Sequence, residues 1–120
     1  MAGELVPLVM LPRFTTLHGA TDFTTIGMEV ADYSSAILNV FRGPVGGTSG
    51  TFAITCQEST DQQTWPNCSG ATASYDPGES TEGQLTPDLK KRWFRVKVTL
   101  GGTGPTVSCW ALGFLEMRES

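Results

Sequence analysis

The sequence predicts an all-β fold, namely an antiparallel β-sandwich with an extended N-terminal arm. Two segments, residues 51–58 and 92–100, alternate between apolar and polar side chains, which is the pattern of a strand with one buried face. Gly, Pro, Ser and Thr are abundant and charged residues make up only 17%, a composition that suits short strands joined by turns. A chain of 120 residues is long enough to bury one core without disulfides or metal.

The predicted strands follow one another at fairly regular spacing. The first apolar run, residues 4–11, contains Pro7, which cannot donate a hydrogen bond to a sheet, so we expect an edge strand or an extended arm. The arm is assigned to residues 1–14 and the sandwich domain to 15–120. The remaining strands are predicted at residues 24–31, 35–42, 51–58, 84–86, 91–100 and 106–116.

Three segments allow more specific predictions. The largely apolar run at 35–42, with Ala36, Ile37, Leu38, Val40 and Phe41, predicts a central strand that is covered on both faces. The last strand has one bulky face, formed by Trp110, Leu112 and Phe114, which we expect to face the core. Its other face is lined by small residues and is expected to pack against another surface. The polar stretch at 61–83 predicts a long loop, and loops of this length are usually functional or held by contacts.

Charge and hydropathy argue against two kinds of partner. The formal net charge is −4 and the isoelectric point is about 4.8, with one short basic run at residues 90–92, so a nucleic-acid partner is not expected. No apolar stretch approaches the ~20 residues of a membrane helix, so no membrane partner is expected. The opening segment lacks the basic region of a signal peptide and is interrupted by Pro7 and Pro12.

The sequence does not predict an enzyme, a cofactor or a metal. His18 is the only histidine, and the chain has no G-x-S-x-G nucleophile motif. The acidic residues Glu58, Asp61, Asp76, Glu79 and Glu82 fall mostly in predicted loops, where solvated carboxylates are the rule. The loop after Asp61 lacks the dense oxygen-ligand pattern of a calcium site.

The three cysteines leave two alternatives open. Cys56 and Cys109 both fall on predicted strands and are expected to face each other across the core, either as a disulfide or, preferably, as two buried free thiols. Cys68 falls in the long loop and is expected to be free. An odd number of cysteines fits assembly in a reducing cytoplasm.

One pattern carries a family resemblance. It consists of a strand ending in Q-E-S-x-D, a tryptophan just after it, and an R-x-x-R-V strand before a Gly-Gly turn. The residues concerned are Gln57, Glu58, Ser59, Asp61, Trp65, Arg92 and Arg95. This pattern resembles small β-sandwich virion proteins of tailed bacteriophages, over residues 32–115. The chain departs from the family pattern at Gln62, where a glycine is common, and in a long insertion at residues 66–83.

The resemblance implies a jelly-roll-like fold and a structural role. Proteins of this kind are head decoration proteins, cement proteins or minor capsid proteins. The implied function is to bind the outer shell built by the major capsid protein and to oligomerise there, with a homotrimer favoured. The implied location is the capsid surface of the virion, after synthesis in the host cytoplasm. A head–tail connector or tail component is a further alternative.

The motif residues also have a purely structural interpretation, which we favour. Glu58 and Asp61 are expected to pair with Arg92 or Arg95 across strands, at ~0–1 kcal/mol if exposed. Gln57 and Ser59 are expected to bind turn amides, and Trp65 is expected to cap one end of the core.

Two surfaces are candidates for binding. The apolar N-terminal run is too large to leave in water and is predicted to attach the protein to the capsid. The predicted interface residues are Leu5, Val6, Leu8, Val9, Met10, Leu11 and the outward-facing Trp93. The alternative is a carbohydrate-binding module for a host glycan, using Trp93 or the loop that holds Trp65 and Tyr75.

Overall fold

The computed structural model describes residues 5–72 and 74–118, and it is an all-β antiparallel sandwich. The strands are β1 (Leu5–His18), β2 (Asp22–Thr24), β3 (Met28–Glu29), β4 (Tyr33–Arg42), β5 (Thr48–Ser59), β6 (Thr81–Leu85), β7 (Trp93–Thr103) and β8 (Thr106–Met117). The predicted fold class is confirmed. Within the described ranges, no helix is long and apolar enough to cross a membrane.

The strands form two sheets that enclose the core. Sheet A has the order β1-β8-β4-β6. In sheet B the central strand is β7, which pairs with β5 along its length and with β2 and β3 at residues 97–99 and 93–94. The alternation of β7 places Phe94, Val96 and Val98 in the core, each at most 1% exposed.

The described part of the predicted arm belongs to the sandwich itself. Residues 5–14 are the first part of β1, an edge strand of sheet A that pairs with β8 from Leu5 to His18. Of the two alternatives for this run, the structure therefore has the edge strand, consistent with the place of Pro7 in it. Residues 1–4 of the predicted arm lie outside the described residues.

The last strand is oriented opposite to the prediction. Cys109, Ala111 and Gly113 face the core and are buried, whereas Trp110 is half-buried and Phe114 is exposed. β8 is a central strand, and the carbonyl oxygen of Ile37 approaches it so closely that a Cβ on Gly113 would overlap that atom. Large side chains from other strands fill the space between the sheets, so β8 needs only small ones there.

The predicted strand at 24–31 is divided into β2 and β3. A side chain at Gly27, between them, would lie 2.8 Å from the side-chain oxygen of Gln62 and 3.0 Å from the ring of Trp65. Alternation along residues 24–31 would place Ile26 on one face with Met28 and Val30, yet Ile26 is 91% exposed. The alternation therefore breaks at the point where the long loop packs against this edge.

The long polar loop is held by contacts rather than free. Tyr75 forms a two-way backbone hydrogen-bonded bridge with Ile54, with N···O distances of 2.8 and 3.0 Å. Nearer the start of the loop, Asn67 forms a second bridge with Gln57. Arg42 binds the carboxylate of Asp76 through two hydrogen bonds of 2.8 and 3.0 Å. The two bridges place the loop along β5, and the ion pair ties it to the end of β4.

Candidate functional site

The outward face of sheet A carries an apolar patch, bordered by polar pairs such as Asn39 with Gln84 and Ser35 with Glu116, although the opposite face of the same sheet already lines the core. Cross-strand pairing aligns Phe114 with Pro7 on one side and with Ile37 on the other. One step along the sheet, Val9 pairs with Leu112. We call this surface the outer apolar face and define it by Leu5, Val9, Phe14, Ile37, Phe41, Trp110, Leu112 and Phe114.

The outward face of sheet B is mostly polar by comparison. The side chains of Thr99 and Asp22 hydrogen-bond there at 2.8 Å, and Arg95 donates to Gln57 at 2.8 Å. Lys97 also belongs to this face, because it alternates with the buried residues of β7. The solvated faces of antiparallel sheets are commonly polar. The apolar patch on sheet A departs from that pattern.

Trp110 contacts two other aromatic rings of the outer apolar face. Its ring stacks on Phe41, with centroids 4.2 Å apart and an angle of 15° between the planes. The ring of Phe14 meets it edge-on at 5.6 Å, and the guanidinium of Arg13 lies 4.9 Å from its centroid. The indole N–H donates to Glu82 at 3.4 Å. These contacts fix the orientation of the indole and satisfy its N–H.

A bulge in β1 presents Phe14 to solvent. The pairing of β1 with β8 shifts register between Leu11 and Thr15, and the hydroxyl of Thr15 closes the bulge by donating to the carbonyl of Pro12 at 2.6 Å. Phe14 has a φ of 63° and is 77% exposed. A bulky residue in this left-handed region is strained, and strain that persists is often found at functional positions.

The predicted interface residues of the N-terminal run divide between the two faces of β1. Leu5 and Val9 point outward and are 53% and 54% exposed. Leu8 and Met10 are core residues, so the structure corrects the prediction that they meet a partner. Val6 and Leu11 are partly buried against the same core. This division follows from the period of two, which sends neighbouring side chains to opposite faces.

Trp93 faces outward as predicted, but on sheet B. It pairs with Ser59 of β5 and Glu29 of β3, and the guanidinium of Arg92 lies 5.3 Å from the centroid of its ring. Trp93 is therefore not part of the outer apolar face.

The Q-E-S-x-D motif builds the turn after β5, as the structural interpretation expects, but with different partners. Glu58 is 4% exposed, and one of its carboxylate oxygens accepts the backbone N–H groups of Lys90 and Lys91 at 2.8 and 3.1 Å. The hydroxyl of Ser59 accepts the N–H groups of Asp61 and Gln62. The expected pairing of Glu58 with an arginine is thus replaced by bonds to the segment that leads into β7.

Asp61 also binds amides rather than an arginine. Its carboxylate accepts the N–H groups of Gln63 and Thr64 at 2.8 and 3.0 Å. These bonds, that of Thr64 above all, hold the pKa of Asp61 below its ordinary value. This is the geometry of an Asx turn, so the carboxylate has a structural use.

Trp65 does not cap the core. The guanidinium of Arg95 lies 4.3 Å from the centroid of its ring, and Arg95 points out of sheet B because its neighbours Phe94 and Val96 point in. Arg92 binds Glu29 at 2.6 Å. Both tryptophans on this side therefore have an arginine over the ring, and Tyr75 is partly buried against the core. These positions do not favour the glycan platform.

The three thiols are free, which matches the preferred alternative for Cys56 and Cys109. Burial raises the pKa of Cys56 to about 12 and that of Cys109 to about 11, so neither is an activated nucleophile. Cys68 is buried despite its place in the loop. Among residues 5–72 and 74–118, no group of three or more His, Cys, Asp or Glu side chains is placed to hold a metal ion.

Ile26 lies away from the outer apolar face, on a second apolar feature. A crevice of about 490 Å³ opens between β1 and the β2–β3 edge, lined by residues that include Leu11, Leu17, Phe23, Ile26 and Met28. Ile26 at the rim is the most exposed large apolar residue described.

No protein-family model and no curated protein sequence matches the chain. Its fold is similar to solved structures of infectious bursal disease virus. The structure of the Gt strain has a TM-score of 0.64 at 7% identity, over 97% of this chain and 33% of that chain. The crystal structure of the VP2 subviral particle has 0.62 at 8% identity, over 96% and 33%. Derived T=1 particles have 0.63 at 8% identity, over 96% and 32%.

The chain spans about a third of the length of these viral chains. At such low identity, the likeness establishes a fold, a jelly-roll-like β-sandwich of the kind found in viral capsid proteins.

Proposed function

We propose that this chain is a structural virion protein that decorates and stabilises a bacteriophage capsid, without catalytic activity. In this proposal, it binds the shell built by the major capsid protein and oligomerises on the capsid surface, as the resemblance of the sequence implies. The observation that supports the proposal is the outer apolar face on sheet A. The jelly-roll-like fold agrees with it, because viral capsid proteins share that fold.

The size of the face allows a weak contact. Leu5, Val9, Phe14 and Phe114 are between 42% and 77% exposed, and together they leave roughly 400 Å² of apolar surface in water. A patch of that size on a monomer is often functional. Its burial contributes about 10 kcal/mol, against association costs of ~4–15 kcal/mol. The binding free energy of each contact is therefore modest, and the contributions of many copies on one particle add up.

Cosedimentation with capsids that lack the protein tests the proposal. Leu5→Ser and Phe114→Ser each replace an exposed residue of the outer apolar face that does not line the crevice, so both variants remain folded and should bind at least ten-fold more weakly. Ile26→Ser is the matched control, because it removes a more exposed apolar side chain outside that face. Circular dichroism and thermal melting verify that all three variants are folded.

Two results would contradict the proposal. If both face variants bind capsids like the unmodified chain, the outer apolar face is not the docking surface. If Ile26→Ser alone abolishes binding, the crevice beside β1 is the contact instead. Equal DNA-release temperatures for decorated and undecorated particles would remove the stabilising role.

A further inference from the structure

Two of the three cysteines face each other at the edge of β5. Gln57 forms an antiparallel bridge with Asn67, and this register places Cys56 directly opposite Cys68. The pairing continues there, because the Cys68 N–H donates to the carbonyl of Cys56 with an N···O distance of 2.9 Å. Residues that are directly opposed in an antiparallel pair point their side chains to the same side.

The two thiols are buried and lie close enough to be bridged. Both belong to the core cluster, with Cys56 2% and Cys68 5% exposed. The Cα atoms of a hydrogen-bonded antiparallel pair are about 5.5 Å apart, inside the range of about 4.4–6.8 Å that disulfides span. Burial is the main cause that raises the pKa of Cys68, and the neighbouring Cys56 is the next. Cys109 lies on β8, in the other sheet.

We propose that Cys56 and Cys68 are a redox modification site, which a small-molecule disulfide such as oxidised glutathione closes to an intrachain disulfide. One cysteine thiolate attacks the oxidant and forms a mixed disulfide, releasing one molecule of reduced glutathione. The second cysteine thiolate then attacks the protein sulfur of that mixed disulfide and releases another. The protein loses two electrons and two protons, and one oxidant becomes two thiols. This inference does not depend on the proposed function.

The bond would tie the long loop covalently to β5. In the reduced state, the loop is held there by backbone bonds such as Glu58 N–H to the carbonyl of Pro66, at 3.0 Å. Because the thiolate is the reactive form and burial disfavours it, closure is slow in the folded chain and faster while the chain refolds. The site therefore stays reduced in a cytoplasm and oxidises outside it.

Peptide mapping tests the site directly. The chain is incubated in oxidised glutathione, in one arm folded and in the other while refolding from urea, and free thiols are then alkylated under denaturing conditions. Cleavage after glutamate places Cys56 in peptide 30–58, Cys68 in peptide 59–79 and Cys109 in peptide 83–116. We expect peptides 30–58 and 59–79 to be joined, with Cys109 alkylated. The linked protein should melt about 5–10 °C higher.

Variants separate this pair from the alternatives. Cys109→Ala should retain the link, and Cys68→Ala should abolish it. A link in the refolding arm alone still supports the site, because the folded chain protects both thiols. Three alkylated cysteines in both arms, a link to peptide 83–116, or dimers on a non-reducing gel would each overturn the proposal. The unmodified chain alone decides between these outcomes if a variant fails to fold.

Discussion

Replacing Phe14 separately by Gly and by Ala measures the strain in the β1 bulge. The ring is 77% exposed, so either change removes only roughly 50 Å² of buried surface, about 1 kcal/mol, and an edge contact with Trp110 of about 0.5–1.5 kcal/mol. Ala keeps the left-handed φ of 63°, which costs a residue with a Cβ about 1–2 kcal/mol. Gly does not incur that cost, but its larger conformational entropy in the unfolded chain offsets part of the gain in stability. We therefore expect Phe14→Gly to be about 1 kcal/mol more stable than Phe14→Ala.

Urea unfolding with linear extrapolation measures both free energies of unfolding. Phe114 provides the matched control, because it lies on the same face in a regular part of β8. There the order should reverse, with Phe114→Gly about 0.5–1 kcal/mol less stable than Phe114→Ala. If Phe14→Ala is as stable as Phe14→Gly, the bulge is not strained. The strain then no longer supports a functional role for Phe14.

Three further predictions concern the fold. Gly113→Ala should lower the free energy of unfolding by about 3 kcal/mol or prevent folding, as seen in thermal melts, because its Cβ overlaps the Ile37 carbonyl. Glu58→Ala should cost about 2–4 kcal/mol in urea unfolding, and Glu58→Gln, which keeps an acceptor for both amides, clearly less. The hydrogen bond from Arg42 lowers the pKa of Asp76 from its ordinary value of 3.8. The stability that the ionised Asp76 contributes is fully present above pH 3.8 and is lost as the pH falls through its lower pKa in the folded state. In Asp76→Asn, the free energy of unfolding should therefore fall less steeply with acid below about pH 4.

The sequence was sufficient to predict which side of a strand is buried where the strand has one apolar and one polar face. β7 shows this best, because Phe94, Val96 and Val98 are separated by polar residues and only one orientation buries them. The same argument fails for β8, where both faces are apolar. Size was the wrong criterion there, since small residues line the buried face and the Ile37 carbonyl approaches Gly113 too closely for a Cβ. No pattern in the sequence predicts that approach.

The hydrogen-bond partners of the motif residues could not be predicted from the sequence either. Glu58 was expected to seek an arginine, but it accepts the amides of Lys90 and Lys91, which become its neighbours only when β5 and β7 pair. Phe14 had no signal either, because phenylalanine is an unfavourable residue for a left-handed conformation. Ile37 and Phe41 did have one, since both belong to the apolar run at 35–42.

That run also links the sequence to the proposed docking. A strand that is largely apolar on both sides is expected to be covered on both faces, yet in this chain β4 buries Leu38 and Val40 in the core while Ile37 and Phe41 remain half-buried on the outside. Parts of β8 and β1 show the same two-sided apolar character at neighbouring positions of one sheet. Alternation within single strands explains why the inner face of sheet A is apolar, but it does not explain why the outer face is apolar too. The docking proposed above would supply that cause, because a partner bound to the outer apolar face would bury it as the core buries the inner face.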